Sequence, residues 1–129
     1  MQTLHEVEAV VEVDGEEIRY RRAGQGSPVL LLRSGARVGS GTGEVDALFR
    51  ELASGRRVIE PLTPLPTRRG AADRWLRGLI EGLGLTAPEV MAEPALAPLL
   101  TRFVGRNGGA VGRVVFLRME EAGASRGEE

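Results

Sequence analysis

Residues 89 to 98 read Glu-Val-Met-Ala-Glu-Pro-Ala-Leu-Ala-Pro. Leu-Gly-Leu (83 to 85) precedes them, and an apolar run with helical spacing follows. In that setting many α/β proteins build a strand, a sharp turn and a helix, and the turn presents a nucleophile. Here the turn presents Pro94, whose side chain is not nucleophilic. Proline also fixes φ at about −65°, whereas a strained turn of this kind commonly holds its nucleophile at positive φ. The groups left nearby to act as a base are carboxylates such as Glu93 and Glu60.

Other chemistry is sparse. The absence of Cys excludes thiolates and disulfides. The only His is His5, near the terminus and read as solvated, and a zinc site needs several His or Cys ligands. No metal or cofactor is expected. Residues 33 to 43, Arg-Ser-Gly-Ala-Arg-Val-Gly-Ser-Gly-Thr-Gly, invite a phosphate-cradle reading. Their spacing matches neither the dinucleotide fingerprint nor a P-loop, since no Gly-Lys-Ser/Thr occurs. A helix start at Thr42-Gly43, with Arg37 near it, could attract an anion; a flexible loop is the plainer reading. Pairs such as Glu16-Glu17 and Glu120-Glu121 fit a solvated face.

A chain of 129 residues suits one domain, and 42% apolar residues suffice for a core. The domain is expected over 1–118, followed by a polar, acidic tail over 119–129. A net charge of −1 gives no field to hold nucleic acid or an anionic membrane. All 17 basic residues are Arg, which fits a high-GC, bacterial genome. The N-terminus lacks a signal pattern, and the longest apolar run, Val29–Leu32, is far too short to span a bilayer. A cytoplasmic location is the default.

The elements follow from periodicity. Residues 6 to 13 alternate apolar and acidic, as a strand with one wet face does. Asp14-Gly15 signals a hairpin, and residues 16 to 22 return with Ile18 and Tyr20 inward and Arg19 and Arg21 outward. Val29–Leu32 is apolar on both faces, as a buried parallel strand is. Residues 44 to 54 fit a helix with Val45, Leu48, Phe49 and Leu52 on one face. Residues 57 to 60 form a short strand. A second helix from about Ala71 to Gly82 carries Trp75, Leu76, Leu79 and Ile80 on its apolar stripe. Val90–Ala92 is the next strand. A third helix uses Leu96, Leu99, Leu100, Phe103 and Val104, and Val114–Leu117 is the last strand. Strand–helix alternation after an opening hairpin predicts an α/β fold. It has three layers, about three helices and a mostly parallel six-stranded sheet with its first hairpin antiparallel.

This order resembles the N-terminal half of the α/β-hydrolase fold over residues 6 to 118. Residues 13 to 32 look like the family's opening hairpin and third strand, Arg57 to Pro61 like its fourth, and Arg113 to Leu117 like its sixth. Trp75 to Leu85 looks like the helix before the nucleophile strand. The resemblance implies strand order 1-2-4-3-5-6 in a truncated hydrolase-like sheet. The family's Gly-x-Ser-x-Gly falls on Ala92-Glu93-Pro94-Ala95-Leu96, with Pro94 at the nucleophile position and Leu96 in place of a small residue. The elbow backbone is therefore expected to be relaxed. Pro98 fits best as a first helical residue, so the third helix is expected to start late. The family's His-Gly falls on Arg33-Ser34, leaving Ser34 or Gly35 as oxyanion-hole donors with nothing to stabilise. The family's acid and catalytic His come from a second half, and the charged end of this chain reads as a natural one. No catalytic residue is assigned.

At the carboxyl ends of the strands in the order 4-3-5-6 lie Glu60, Arg33, Glu93 and Arg118, with alternating signs. Ligands in open α/β sheets bind at this edge. An ion-pair row filling a vestigial crevice is expected there, bordered by Ser34, Gly35, Pro94 and Ala95; the alternative is that the charges point separately to solvent. Val114, Val115, Phe116 and Leu117 would form an apolar edge strand with unpaired backbone. Edges of this kind mark interfaces, so a homodimer is expected, through this strand or through the third helix. Three functions stay open. One is a non-catalytic binding or scaffold module, or a remnant. Another is an interaction subunit completed by a partner chain. The last is a hydrolase-like enzyme using carboxylates.

Overall fold

A computed structural model describes residues 6–33, 43–66 and 68–117. Strand β1 (Val7–Val13) and strand β2 (Glu16–Ala23) form an antiparallel hairpin with Val13 opposite Glu16. Its two turn residues, Asp14 and Gly15, have φ of 53° and 81°. Positive φ at both positions is what a two-residue hairpin turn needs to match strand twist, and Gly supplies the second without strain.

Strand β3 (Pro28–Leu32), helix α1 (Gly43–Ala53), strand β4 (Arg57–Pro61), helix α2 (Arg69–Gly82) and strand β5 (Glu89–Ala92) follow. A single 3₁₀ turn, Pro94–Leu96, leads into helix α3 (Ala97–Arg106), and strand β6 (Arg113–Phe116) ends the described chain. The sheet order is β1-β2-β4-β3-β5-β6, as the resemblance implies. The β1–β2 and β2–β4 pairs are antiparallel, and the remaining three are parallel. Helix α2 begins at Arg69, slightly earlier than its apolar stripe suggests.

Residues alternate between two cores. Leu30, Leu32, Ile59, Val90 and Ala92 face α2 and α3, where they meet Leu76, Leu79, Leu100 and Phe103. Val29, Leu31 and Val58 face α1 and pack with Phe49 and Ala53. Residues 29 to 32 are fully buried on both faces. Each such aliphatic side chain stabilises the fold by about 1.5–3 kcal/mol. Helix α2 comes very close to the hairpin at Gly78, where an added Cβ would lie 2.3 Å from Val13 Cγ1.

Candidate functional site

The sheet's alternation decides which polar side chains meet. Arg21 lies two residues from Ala23, Glu60 two from Val58, and Arg33 two from Leu31. Ala23, Val58 and Leu31 all belong to the core beneath α1. The same face therefore receives Arg21, Glu60 and Arg33, at the carboxyl ends of β3 and β4. Glu93, two residues past Met91, continues the row on β5, since Met91 packs against that core.

Glu60 is the hub and is 1% exposed. Arg21 donates from Nε to Glu60 Oε1 at 2.8 Å, with Nη2 also 2.8 Å from that oxygen. Arg33 donates from Nε to Glu60 Oε2 at 2.6 Å and from Nη2 to the same oxygen. Arg21 is 8% and Arg33 3% exposed, so the trio is desolvated. The Arg21 guanidinium also lies 4.0 Å from the centroid of the Phe49 ring, a cation–π contact, and its Nη1 donates to Glu6 Oε2 at 3.2 Å. Arg33 Nη1 is buried and has no hydrogen-bond partner among the described residues.

Arg21 corrects the sequence reading, which turns it outward with Arg19. Period-2 alternation recognises one core-facing side, and on β2 that side carries Ile18 and Tyr20. The opposite side is covered too, because the Phe49 ring of α1 reaches over Arg21. The signal that could have found it is the ladder itself, where Arg21 stands directly opposite Glu60.

The turn after β5 is relaxed. Glu93 is extended, with φ −67° and ψ 147°. Its N–H donates to Leu32 O at 3.3 Å, and the Leu96 N–H donates to Glu93 O at 2.9 Å, closing the 3₁₀ turn. Among the described residues, the only non-Gly positions with positive φ are Asp14 and Ala87. Nothing in 92–96 carries the strain of a nucleophile elbow. Pro94 and Ala95 are exposed, whereas Leu96 is buried in the larger core. Helix α3 starts after this turn with Pro98 in its first two positions, where a missing N–H is harmless.

Glu93 is 5% exposed and lies beside the trio at the next strand end. The alternative in which each charge points separately to solvent does not describe Arg33, Glu60 or Glu93. Ser34, Gly35 and Arg118 lie outside the described residues, as do Arg37 and Thr42 of the glycine-rich segment. Among the described residues, no group of three or more acidic or His side chains is placed to hold a metal. Nor is any helix among them long and apolar enough to cross a membrane.

At the sheet's far side, Val114 and Val115 are half-buried, Phe116 is 41% exposed and Leu117 is half-buried. A groove of about 360 Å³ runs between α3 and β6, lined by Leu100, Thr101, Val104, Val114 and Phe116.

Solved structures share this architecture. An epoxide hydrolase, VrEH1 from Vigna radiata, superposes with a TM-score of 0.71 at 18% identity over 86% of this chain and 38% of its own. A serine hydrolase involved in carbazole degradation gives 0.73 at 22% identity over 88% and 48%. A CIB-like hydrolase from Thermoplasma acidophilum gives 0.72 at 13% identity over 92% and 67%. The chain has an α/β-hydrolase fold. It spans less than half the length of the first two of these hydrolases. No family model and no curated protein matches the sequence. Within this α/β-hydrolase sheet the ends of β3 and β4 hold a buried Arg–Glu–Arg trio, and the turn after β5 holds proline.

Proposed function

We propose that this chain is a non-catalytic α/β-hydrolase-like protein, a homodimeric binding or scaffold module. One observation carries the reading: Pro94 occupies the elbow position in an unstrained 3₁₀ turn. A relaxed proline turn neither offers an attacking group nor aims one into the crevice. The neighbouring carboxylate supports the same reading, because both oxygens of Glu60 are engaged by guanidinium groups. A base in that position would have to break charge-assisted hydrogen bonds before it accepted a proton.

The test is a turnover screen with p-nitrophenyl esters and a simple aryl epoxide, together with labelling by a fluorophosphonate. The expected result is no turnover above buffer and no covalent adduct. Turnover abolished by Glu93→Ala would replace the reading with a carboxylate-based enzyme.

A second reading draws on chain length. Because this chain spans 38–48% of two of the hydrolases it resembles, a separate polypeptide could supply further strands beyond β6. Co-purification of a stoichiometric second protein from the native host would favour it over the homodimer.

A further inference from the structure

Carboxylates answer many of the arginines. Arg19 pairs with Glu8, Arg33 with Glu60, Arg77 with Glu81, and Arg56 and Arg113 with Glu89. Arg21 pairs with Glu6 and Glu60, and Arg102 and Arg106 lie near Asp73. Arg22 and Arg57 form no ion pair among the described residues. These two line one cavity of about 160 Å³, and Tyr20, Ile59 and Leu83 complete its lining. Arg57 Nε is buried and has no hydrogen-bond partner among the described residues. A buried donor in that state calls for a water or an ion to accept from it.

Register explains why the two cations share a cavity. Arg22 stands opposite Ile59 on the β2–β4 ladder. Arg57, two residues before Ile59, lies on the same face of the sheet and is the diagonal neighbour of Arg22. Diagonal neighbours are about 7–8 Å apart, within reach of long side chains. Like charges so placed repel, and an anion between them turns that repulsion into two attractions. The face is the one on which Tyr20 and Ile59 join the larger core, whereas the Arg21–Glu60–Arg33 trio occupies the other. Arg57 also opens β4, while Glu60 stands near its carboxyl end. The cavity is therefore separate from the trio and from the turn after β5.

We propose that Arg22 and Arg57 form a site for a small tetrahedral oxyanion of the phosphate type. A guanidinium presents a planar fork that grips two oxygens at once. A carboxylate has only two oxygens, as Glu60 shows by giving one each to Arg21 and Arg33. A phosphate group has three or more acceptor oxygens and can engage both forks. Drug-sized ligands fill pockets of about 300–1,000 Å³, so this smaller cavity suits inorganic phosphate or a compact phosphomonoester. A competing account needs no ligand. Helix α2 ends at Gly82 with Leu83 as its cap, and its last turn has no basic residue. Cations supplied from β2 and β4 would complement that helix end.

Calorimetric titration of the full chain with inorganic phosphate, phenyl phosphate and acetate tests the site, in a buffer free of other oxyanions. Wild type is expected to bind phosphate at one site with a Kd of about 1 mM or tighter. Acetate should bind at least about tenfold more weakly. Arg22→Gln and Arg57→Gln should each weaken phosphate by about tenfold or more. Arg57→Lys keeps the charge but loses the fork, and should fall between wild type and Arg57→Gln. Arg74→Gln removes an exposed charge elsewhere on α2 and should change nothing. Phenyl phosphate binding tighter than inorganic phosphate assigns a phosphomonoester as the ligand, and the reverse order assigns the free ion. Urea midpoints are measured on every variant. Where a Gln variant fails to fold, Arg57→Lys decides, and wild-type affinity in it overturns the site. The absence of saturable binding to wild type overturns the proposal, and lowered midpoints in the Gln variants then assign both cations to the end of α2. Equal weakening by Arg74→Gln, or acetate bound as tightly as phosphate, overturns it too.

Discussion

Glu60 stands directly across the β2–β4 ladder from Arg21, and its carboxylate divides its two oxygens between Arg21 and Arg33. Two positive charges and one negative are thereby held out of water, at the strand ends where ligands of open α/β sheets bind. Desolvating such a group costs much of what the attraction returns, so the trio is not a large source of stability. The three side chains instead hold one another in place at the ends of β3 and β4.

Removing one member should therefore hurt more than removing all three. Glu60→Leu strands two buried guanidinium groups and is expected to cost about 3–5 kcal/mol. The triple replacement Arg21→Met, Glu60→Leu, Arg33→Met keeps the volume, removes every charge and is expected to fall within about 1–2 kcal/mol of wild type or above it. Urea midpoints of the three proteins decide the matter. A Glu60→Leu midpoint equal to wild type would mean that the trio is solvated in solution.

The elements are legible in the sequence because their cues are local, whereas the order of strands in the sheet is what the family resemblance implies. The Asp14-Gly15 turn, the doubly apolar run Val29–Leu32 and the helical stripe around Leu76 and Leu79 each point to one element, and all appear in the structure. The alternating signs of Glu60, Arg33 and Glu93 also hint at a shared edge. Arg21 is not legible in that way. Alternation along β2 contains no information about α1, whose Phe49 ring covers the other face from far along the chain. Which residue completes Glu60 is a matter of cross-strand register, and register is set by tertiary pairing.

Restoring a serine should not restore an elbow. Pro94→Ser supplies a hydroxyl, but Glu93 and Leu96 hold the turn in a 3₁₀ conformation through the 2.9 Å bond between them. The neighbouring carboxylate, Glu93, is buried while residue 94 is exposed, and an unactivated hydroxyl is a weak nucleophile. The expected outcome is no fluorophosphonate labelling and no burst with p-nitrophenyl acetate. Stability should change by less than about 1 kcal/mol, because residue 94 is exposed. Rapid labelling of the variant would show that the site retains a catalytic environment.

Glu89 gives the fold a defined response to acid. Burial pushes its carboxyl upward, but hydrogen bonds from Arg56 at 2.7 Å and Arg113 at 3.2 Å outweigh that, and its pKa lies below the ordinary 4.5. A carboxyl depressed in the folded state stabilises fully above its unfolded value and loses that contribution as pH falls through the folded value. Glu89→Gln should thus lower the urea midpoint at pH 7. The gap between variant and wild type should close as pH falls from about 5 toward 2. A gap that is constant across that range would assign the effect to packing instead of charge.

Gly78 sets the distance between α2 and the hairpin. An alanine Cβ there would sit 2.3 Å from Val13 Cγ1, well inside contact distance. Two effects oppose one another. Replacing glycine inside a helix gains about 0.8–1.0 kcal/mol of helix propensity. Overpacking a closed contact costs about 1–3 kcal/mol, and a β-branched valine has no flexible end to move aside. The clash is expected to win, so Gly78→Ala should lower the urea midpoint. Adding Val13→Ala removes the obstructing methyl groups at the price of a small cavity. The double variant should be more stable than the sum of the two single changes predicts, with a coupling of about 1–2 kcal/mol. Simple additivity in that cycle would show that α2 does not approach the hairpin as closely at this point.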